Sequence, residues 1–338
     1  MTVLSLHRVR AAIAVAAIAA AVVALSGCAS GTPTAGAPHS VASGPWTFTD
    51  DLGKTVTLDH QPTKIVGQNE TMVSLMNYGV DPIGTFGSFD ITKDARYKDL
   101  DVSGITQVGT EFGAFDMEKL AELQPDLIIA DVYPVDEKGT IDTTQPDFGF
   151  SDLEQQKQIE KIAPIVTVVM GGSGDDVMNS IVKLSTALGA DENTLASSKA
   201  AYDDASAKLK QVAEESKLKV ATVYADADGY YVVKADEDPA LDLYKELGVD
   251  FVEPTPEGYY WGIYSWENAG KVGGDVILLN QSGYQKDELS KQPTLADTAA
   301  ITSDQVYPWL SAGLDYVSQA AYMTQLTGYL SQSKVVTG

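Results

Sequence analysis

Few side chains in this sequence can do covalent or metal chemistry, and where they sit is informative. The one cysteine, Cys28, ends the run Leu25-Ser26-Gly27-Cys28. Small residues before a cysteine, directly after an apolar stretch, match a lipobox, in which the thiol is acylated and the cysteine becomes the first mature residue. With no second cysteine, no internal disulfide can form. The preceding chain fits this reading. His7, Arg8 and Arg10 carry the early positive charge, and residues 11–25 are Ala, Ile, Val and Leu throughout. That run is shorter than the ~20 residues a spanning helix needs and reads as the core of a secretory signal. The other histidines are His39 and His60. Two are too few for a His-rich zinc or manganese site, and they argue against a Ser-His-Asp hydrolase. Gly171-Gly172-Ser173-Gly174 lacks the lysine of a phosphate loop and reads as a linker. Asp203-Asp204 and Glu214-Glu215 read as a solvated helix face. No nucleophile or base stands beside a partner, so a non-enzymatic protein is expected.

What remains is binding chemistry. Tyr259, Tyr260 and Trp261 follow Pro254-Thr255-Pro256, and Trp266 lies close behind. Such rings offer a flat apolar face plus a hydrogen-bond donor. The chain holds 47 acids against 23 bases. Removing a signal with Arg8 and Arg10 leaves 21 bases, a formal −26, all lysine except Arg96. A surface this acidic cannot release counterions from a nucleic acid. One arginine cannot form the guanidinium cluster that clamps a multiply anionic ligand.

The elements that must position these groups alternate. Strand-like runs at 64–67, 82–86, 127–132 and 165–170 are separated by amphipathic stretches, one of them helical from about 70 to 78. Residues 175–216 read as helix, broken at Gly189-Ala190-Asp191, and 192–216 contain neither Gly nor Pro. Strands resume at 220–224, 230–233, 251–252 and 276–280, and a last helix covers roughly 314–330. This alternation implies an α/β fold with parallel sheets covered by helices. An internal repeat divides it in two. Residues 115–129 align without gaps on 264–278, each copy holding a cap (Asp116, Ser265), an acid in the first helical turn (Glu118, Glu267), an aspartate (Asp126, Asp275) and a buried strand. The expected organisation is a signal peptide over 1–27, a flexible tether over 28–45, one lobe over 46–191, a connecting helix over 192–217 and a second lobe over 218–338.

Several short motifs now fall into order. They are Pro62-x-Lys64-Ile65-Val66, Tyr78-Gly79-Val80-Asp81-Pro82-Ile83-Gly84, Leu120-x-x-Leu123-x-Pro125-Asp126-Leu127-Ile128, Ile162-Ala163-Pro164-Ile165-Val166 and Gln305-Val306-Tyr307. Their order and spacing resemble the periplasmic-binding family of ferric siderophore and cobalamin importers, whose two lobes are joined by one long helix. The resemblance implies a monomeric, lipid-anchored solute-binding protein on the outer face of the cytoplasmic membrane, serving an ABC permease. It also implies a docking acid on each lobe. Glu70 is the first-lobe candidate, because Val73 stands where the family often has glutamate. Glu237 and Asp242, placed on the helix before Gly248, are the second-lobe candidates.

A ligand should sit between the lobes, at the C-terminal ends of parallel strands. The loops there offer Gln68 and Asn69, then Phe86, Gly87 and Phe89, then Asp131 and Tyr133. From the second lobe come Tyr224, Asp226, Tyr259, Tyr260, Trp261, Trp266, Asn280 and Gln281. For any single aromatic, packing at a lobe edge is the competing reading. Siderophore is expected ahead of cobalamin or haem, and among siderophores a hydroxamate complex ahead of an anionic catecholate. A surface enzyme or structural lipoprotein on the same fold is the alternative class.

Overall fold

The computed structural model describes residues 44–337, so the signal segment, Cys28, His39 and most of the tether lie outside them. The described chain opens with a hairpin, β1 (Trp46–Thr49) and β2 (Thr55–Leu58). Its strict alternation turns Trp46 and Phe48 inward and the threonines outward. The Trp46 indole donates to the Ala187 carbonyl at 2.8 Å, tying the hairpin to the first lobe.

That lobe comprises β3 (Ile65–Gln68), α1 (Asn69–Asn77), β4 (Gly84–Phe86), β5 (Thr106–Gln107), α2 (Met117–Leu123), β6 (Leu127–Val132), α3 (Leu153–Glu160), β7 (Ile165–Val169) and α4 (Gly174–Ala187). The strand order is β5-β4-β3-β6-β7, and every pair is parallel. Buried on both faces, β3, β4 and β6 are almost entirely free of exposed residues. The chain winds outward from β3 in one direction and resumes at β6 in the other. The crevice between β3 and β6 is therefore the switch point where such sheets bind ligands.

The second lobe follows α5 (Glu192–Ser216), with β8 (Lys219–Ala225), β9 (Tyr230–Val233), α6 (Pro239–Glu246), β10 (Asp250–Phe251), β11 (Trp261–Tyr264), β12 (Val276–Asn280), α7 (Lys286–Leu289), α8 (Ala299–Thr302), β13 (Val306–Trp309) and α9 (Tyr316–Gln332). Its strands run β11-β9-β8-β12-β13, with β10 beside the start of β8. Here the all-parallel expectation needs correction, because β9 and β11 are antiparallel. The turn after Ala225 is too short for the crossover that a parallel neighbour requires. Asp226 closes it by accepting the Asp228 and Gly229 N–H groups at 2.8 and 3.2 Å.

The repeat has an atomic basis. Asp126 donates its N–H to the Lys64 carbonyl at 3.0 Å, and its carboxylate accepts the Lys64 N–H at 2.7 Å. Asp275 does the same with Lys219, at 2.7 and 2.8 Å. Each aspartate pins the entry of one central strand to its neighbour. The helical part of the repeat holds in the first copy, where Asp116 caps α2 through the Lys119 N–H at 2.9 Å. It fails in the second. Ser265 caps no α-helix, and only the 3-10 turn Ala269–Lys271 forms. Gly270 approaches Thr294 so closely that a Cβ would lie 2.2 Å from its carbonyl oxygen, and Gly273 and Gly274 oppose further helix.

The lobes are joined more firmly than by one helix. α9 lies along α5, with the Tyr202 and Tyr316 rings 5.3 Å apart. At the α9 N-terminus, buried Asp315 accepts the Val317 and Ser318 N–H groups, each at 2.9 Å, and the Asn77 amide of α1 at 3.1 Å. The Tyr316 N–H donates to the Tyr78 hydroxyl at 2.8 Å. A helix of the second lobe is thus latched to the first helix of the other.

Candidate functional site

Residues that follow β3, β6 and β7 of one lobe and β9, β12 and β13 of the other line a common cleft. Three connected hollows of ≈ 480, ≈ 460 and ≈ 560 Å³ occupy it, and Ser311, just past β13, lines all three. The first hollow takes Glu70, Tyr133, Phe148 and Met170 from the first lobe, and Glu237, Asp238, Tyr259, Tyr260 and Trp261 from the second. The second hollow is walled by Tyr224, Tyr231, Trp261, Asn280 and Trp309. The third runs from Glu70, Phe89 and Arg96 across to Asn280 and Gln281.

Trp261 sits at the junction of the first two. Its ring meets Tyr260 edge-on at 4.9 Å, with Tyr231 at 6.1 Å and Tyr224 at 6.2 Å. The pleat explains the pattern: in β9, Tyr230 turns into the core and Tyr231 toward the cleft. Tyr260 has φ +65°, a left-handed conformation that costs an aromatic residue on the order of 1–3 kcal/mol. Three bonds hold it there. Its N–H donates to the Glu237 carboxylate, its hydroxyl donates to Asp238 at 2.7 Å, and its carbonyl accepts the Lys234 N–H at 2.9 Å. These bonds fix the ring at the cleft wall.

The cleft's charge is mostly negative. Arg96 is already engaged, donating to Glu70 and, at 2.8 and 2.9 Å, to both Asp94 oxygens, while its plane lies 4.4 Å over the Phe89 ring. Burial alone would lower the guanidinium pKa, but Glu70 and Asp94 outweigh it and raise it further. Burial pulls the Asp94 carboxyl up, and Arg96 more than reverses this. Lys93, the other base lining these hollows among the described residues, pairs with Asp90 at 3.0 Å. Burial raises the Asp238 carboxyl, partly offset by the Tyr260 hydroxyl and by the Leu241 and Ala240 N–H groups. The Tyr260 phenol is pushed far up, first by burial and then by Asp238, so it stays a neutral donor.

Of the residues expected to line the cleft, Phe89, Tyr133, Tyr224, Tyr259, Tyr260 and Trp261 do so, as do Asp226, Asn280 and Gln281. Others do not. Phe86 is buried between Phe115 and Phe150, each ring 5.2 Å away, because both faces of β4 are covered. Trp266 covers the far side of its sheet, stacked on Tyr284 at 5.9 Å. Gln68 and Asn69 are fully buried and act as supports: Gln68 caps α1 through the Glu70 N–H, and the Asn69 amide donates to the Phe89 carbonyl at 2.8 Å. The expected docking acids also change place. Glu70 and Glu237 face into the cleft, the first held by Arg96 and the second by Lys234 and the Tyr260 N–H. Glu237 belongs to the 3-10 turn Ala235–Glu237 and not to α6, whereas Asp242 is on α6 and lines none of the three hollows. Val73 is wholly interior. Sequence reasoning missed Phe148, Met170, Asp238, Trp309 and residues 311–314. The last group follows β13 directly, just past the Gln305-Val306-Tyr307 motif.

The profile of the periplasmic binding protein family matches residues 90–312, about two thirds of the chain. The chain belongs to that family. It is a binding protein and not an enzyme, and the family resemblance carried by its motifs is borne out. Among solved structures, DesE, a ferric-siderophore receptor protein from Streptomyces coelicolor, is 29% identical, with TM-score 0.76 over 86% of this chain and 99% of DesE. Two Bacillus subtilis proteins share the fold. The petrobactin-binding protein YclQ is 17% identical, with TM-score 0.65 over 85% of this chain and 99% of its own. The triscatecholate siderophore binding protein FeuA is 19% identical, with TM-score 0.64 and the same coverage. The curated Bacillus subtilis (strain 168) protein YhfQ, provisionally named an ABC transporter substrate-binding lipoprotein, is 37% identical over 97 residues. That stretch is 28% of this chain and 27% of YhfQ, so it spans about a quarter of that relative's length. Among the described residues no helix is long and apolar enough to cross a membrane.

Proposed function

We propose that this periplasmic binding protein captures a ferric siderophore of the hydroxamate class in its interlobe cleft and delivers it to an ABC permease. One observation carries the choice of class: the cleft joins aromatic walls to carboxylates, and its one arginine is already spent on Glu70 and Asp94. A multiply anionic catecholate would meet Glu70, Asp226, Glu237 and Asp238 without a free guanidinium to answer it. A neutral or cationic hydroxamate complex meets aromatic faces that suit its apolar linkers and any exposed ammonium group. The name of DesE supports the ferric-siderophore part of this reading. Cobalamin, bulky and neutral, is the nearest competitor. Mass spectrometry of protein purified from iron-starved cells tests the proposal. A retained ferric hydroxamate is expected, and a retained corrinoid or catecholate would refute it.

The proposal extends to location and partner. The lipobox at Cys28, together with the name given to YhfQ, supports a diacylglyceryl anchor on the outer face of the cytoplasmic membrane. Cys28→Ser should then release the protein from the membrane fraction, and a wild type that is already soluble and unmodified would contradict it. For permease docking, Asp242 is the remaining candidate of the three acids, since Glu70 and Glu237 are committed to the cleft.

A further inference from the structure

The first-lobe side of the cleft continues into a second groove that the ligand reading leaves unused. It measures ≈ 500 Å³ and lies under the loop joining β6 to α3. Tyr133 and Phe148 line both it and the cleft, so the two spaces share a wall. Three rings form that wall in series: Tyr133 meets Phe148 edge-on at 5.0 Å, and Phe148 meets Phe112 at 5.2 Å.

The groove is open, and one wall of it is apolar. Eight large apolar side chains are exposed among the described residues, and five of them line this one groove: Leu52, Phe112, Tyr133, Val135 and Leu153. Phe112 is 62% exposed and Val135 54%. Contiguous exposed apolar surface of this kind marks a contact site. No base lines the groove, and its two carboxylates are occupied, Asp147 by the Thr167 hydroxyl at 3.0 Å and Asp142 by the Thr144 hydroxyl at 2.6 Å. The loop is also preformed. Asp136 accepts the Lys138 and Thr140 N–H groups, each at 3.0 Å, and the Phe148 N–H donates to the Asp131 carbonyl at 2.8 Å.

We infer that this groove binds an uncharged apolar arm of the ligand, an acyl chain running out of the cleft past Tyr133 and Phe148. The occupant is part of the ligand because Tyr133 and Phe148 line both the groove and the ligand cleft, and it is uncharged because no base lines the groove and both carboxylates there already accept hydrogen bonds. The inference rests on the hydroxamate reading above and adds that the ligand is amphiphilic.

The test uses two ferric complexes of one charge, N-acetyl and N-octanoyl ferrioxamine B, titrated by tryptophan quenching against the wild type and the Phe112→Ser, Val135→Ser double variant. Both substituted residues are exposed and outside the cleft, so binding of the acetyl complex reports whether the variant remains intact. Wild type should bind the octanoyl complex roughly tenfold more tightly or better, because several methylenes leave water. The double variant should bind both complexes with the wild-type acetyl affinity. Tight binding of both by wild type without a chain-length preference overturns the groove and leaves the cleft reading standing. So does a preference that survives in the variant, since the chain would then lie elsewhere. Binding of neither complex refutes the hydroxamate reading and the groove with it.

Discussion

The two lobes share one βα plan but bring different chemistry to the cleft. In each, an aspartate (Asp126 or Asp275) ties the entry of the central strand to its neighbour by donating its N–H to a lysine carbonyl and accepting that lysine's N–H on its carboxylate. The lobes diverge where those strands end. β3 runs directly into α1, so the first lobe presents a helix start whose Glu70 is locked into an ion triad by Arg96 and Asp94. β8 instead turns back as a hairpin, which β11 extends, and the second lobe presents tyrosines and a tryptophan backed by carboxylates. The repeated part fixes the scaffold, and in the proposed reading the strand-end connections carry recognition.

The largest effect should come from breaking the charged side. Arg96→Met leaves Glu70 and Asp94 facing each other in a partly buried site and should cost about 2–3 kcal/mol of stability. An unchanged urea midpoint would show that the triad bears no structural load. Next comes the aromatic side. Trp261→Ala should weaken ligand binding by about 30-fold, as for a central aromatic anchor, while Phe89→Ala across the cleft should cost about threefold. A larger loss at Phe89 would invert the assignment of recognition to the second lobe. The shared scaffold predicts a smaller effect. Asp275→Ala and Asp126→Ala should each cost about 1–2 kcal/mol in thermal melts. Asp275 should cost the more, because it is buried and accepts the Val336 and Thr337 N–H groups, each at 2.7 Å, where the further contacts of Asp126, to the Thr63 N–H and His60, are at 3.2 Å.

A pH-dependent effect concerns the latch between the lobes. Burial pushes the Asp315 carboxyl up to about 6, against its backbone and side-chain bonds. The folded protein therefore keeps this proton to higher pH than the unfolded chain does. Its contribution to stability falls as pH rises from about 4 to about 6 and is level above that. Asp315→Asn removes this dependence, so the variant should gain on the wild type between pH 4 and pH 7 in denaturant titrations. A constant difference across that range would show that Asp315 does not titrate there.

Much of this architecture was legible in the sequence, for identifiable reasons. The continuous apolar runs of β6, β9 and β12 and the Gly- and Pro-free α5 coincide with the elements read from them, because burial and helix propensity act locally there. The antiparallel β8–β9 hairpin had a usable signal in Asp228-Gly229, a turn pair between two apolar runs. In the cleft, residues 259–261 were legible because three adjacent large rings cannot all enter one core. Phe86 and Trp266 misled because a strand-end aromatic can turn inward as readily as outward, and only the neighbouring rings decide. The pairing of Glu70 with Arg96 could not be read at all, since it joins residues 26 positions apart through tertiary packing.

An aromatic, carboxylate-lined cleft without a free arginine should select a neutral or cationic ferric complex. Competitive titration of the purified protein with a ferric trihydroxamate and a ferric triscatecholate, followed by tryptophan fluorescence, tests it most directly. The trihydroxamate should bind tightly and resist displacement by a large excess of the catecholate. Tight binding of the triscatecholate with no response to the trihydroxamate would contradict it.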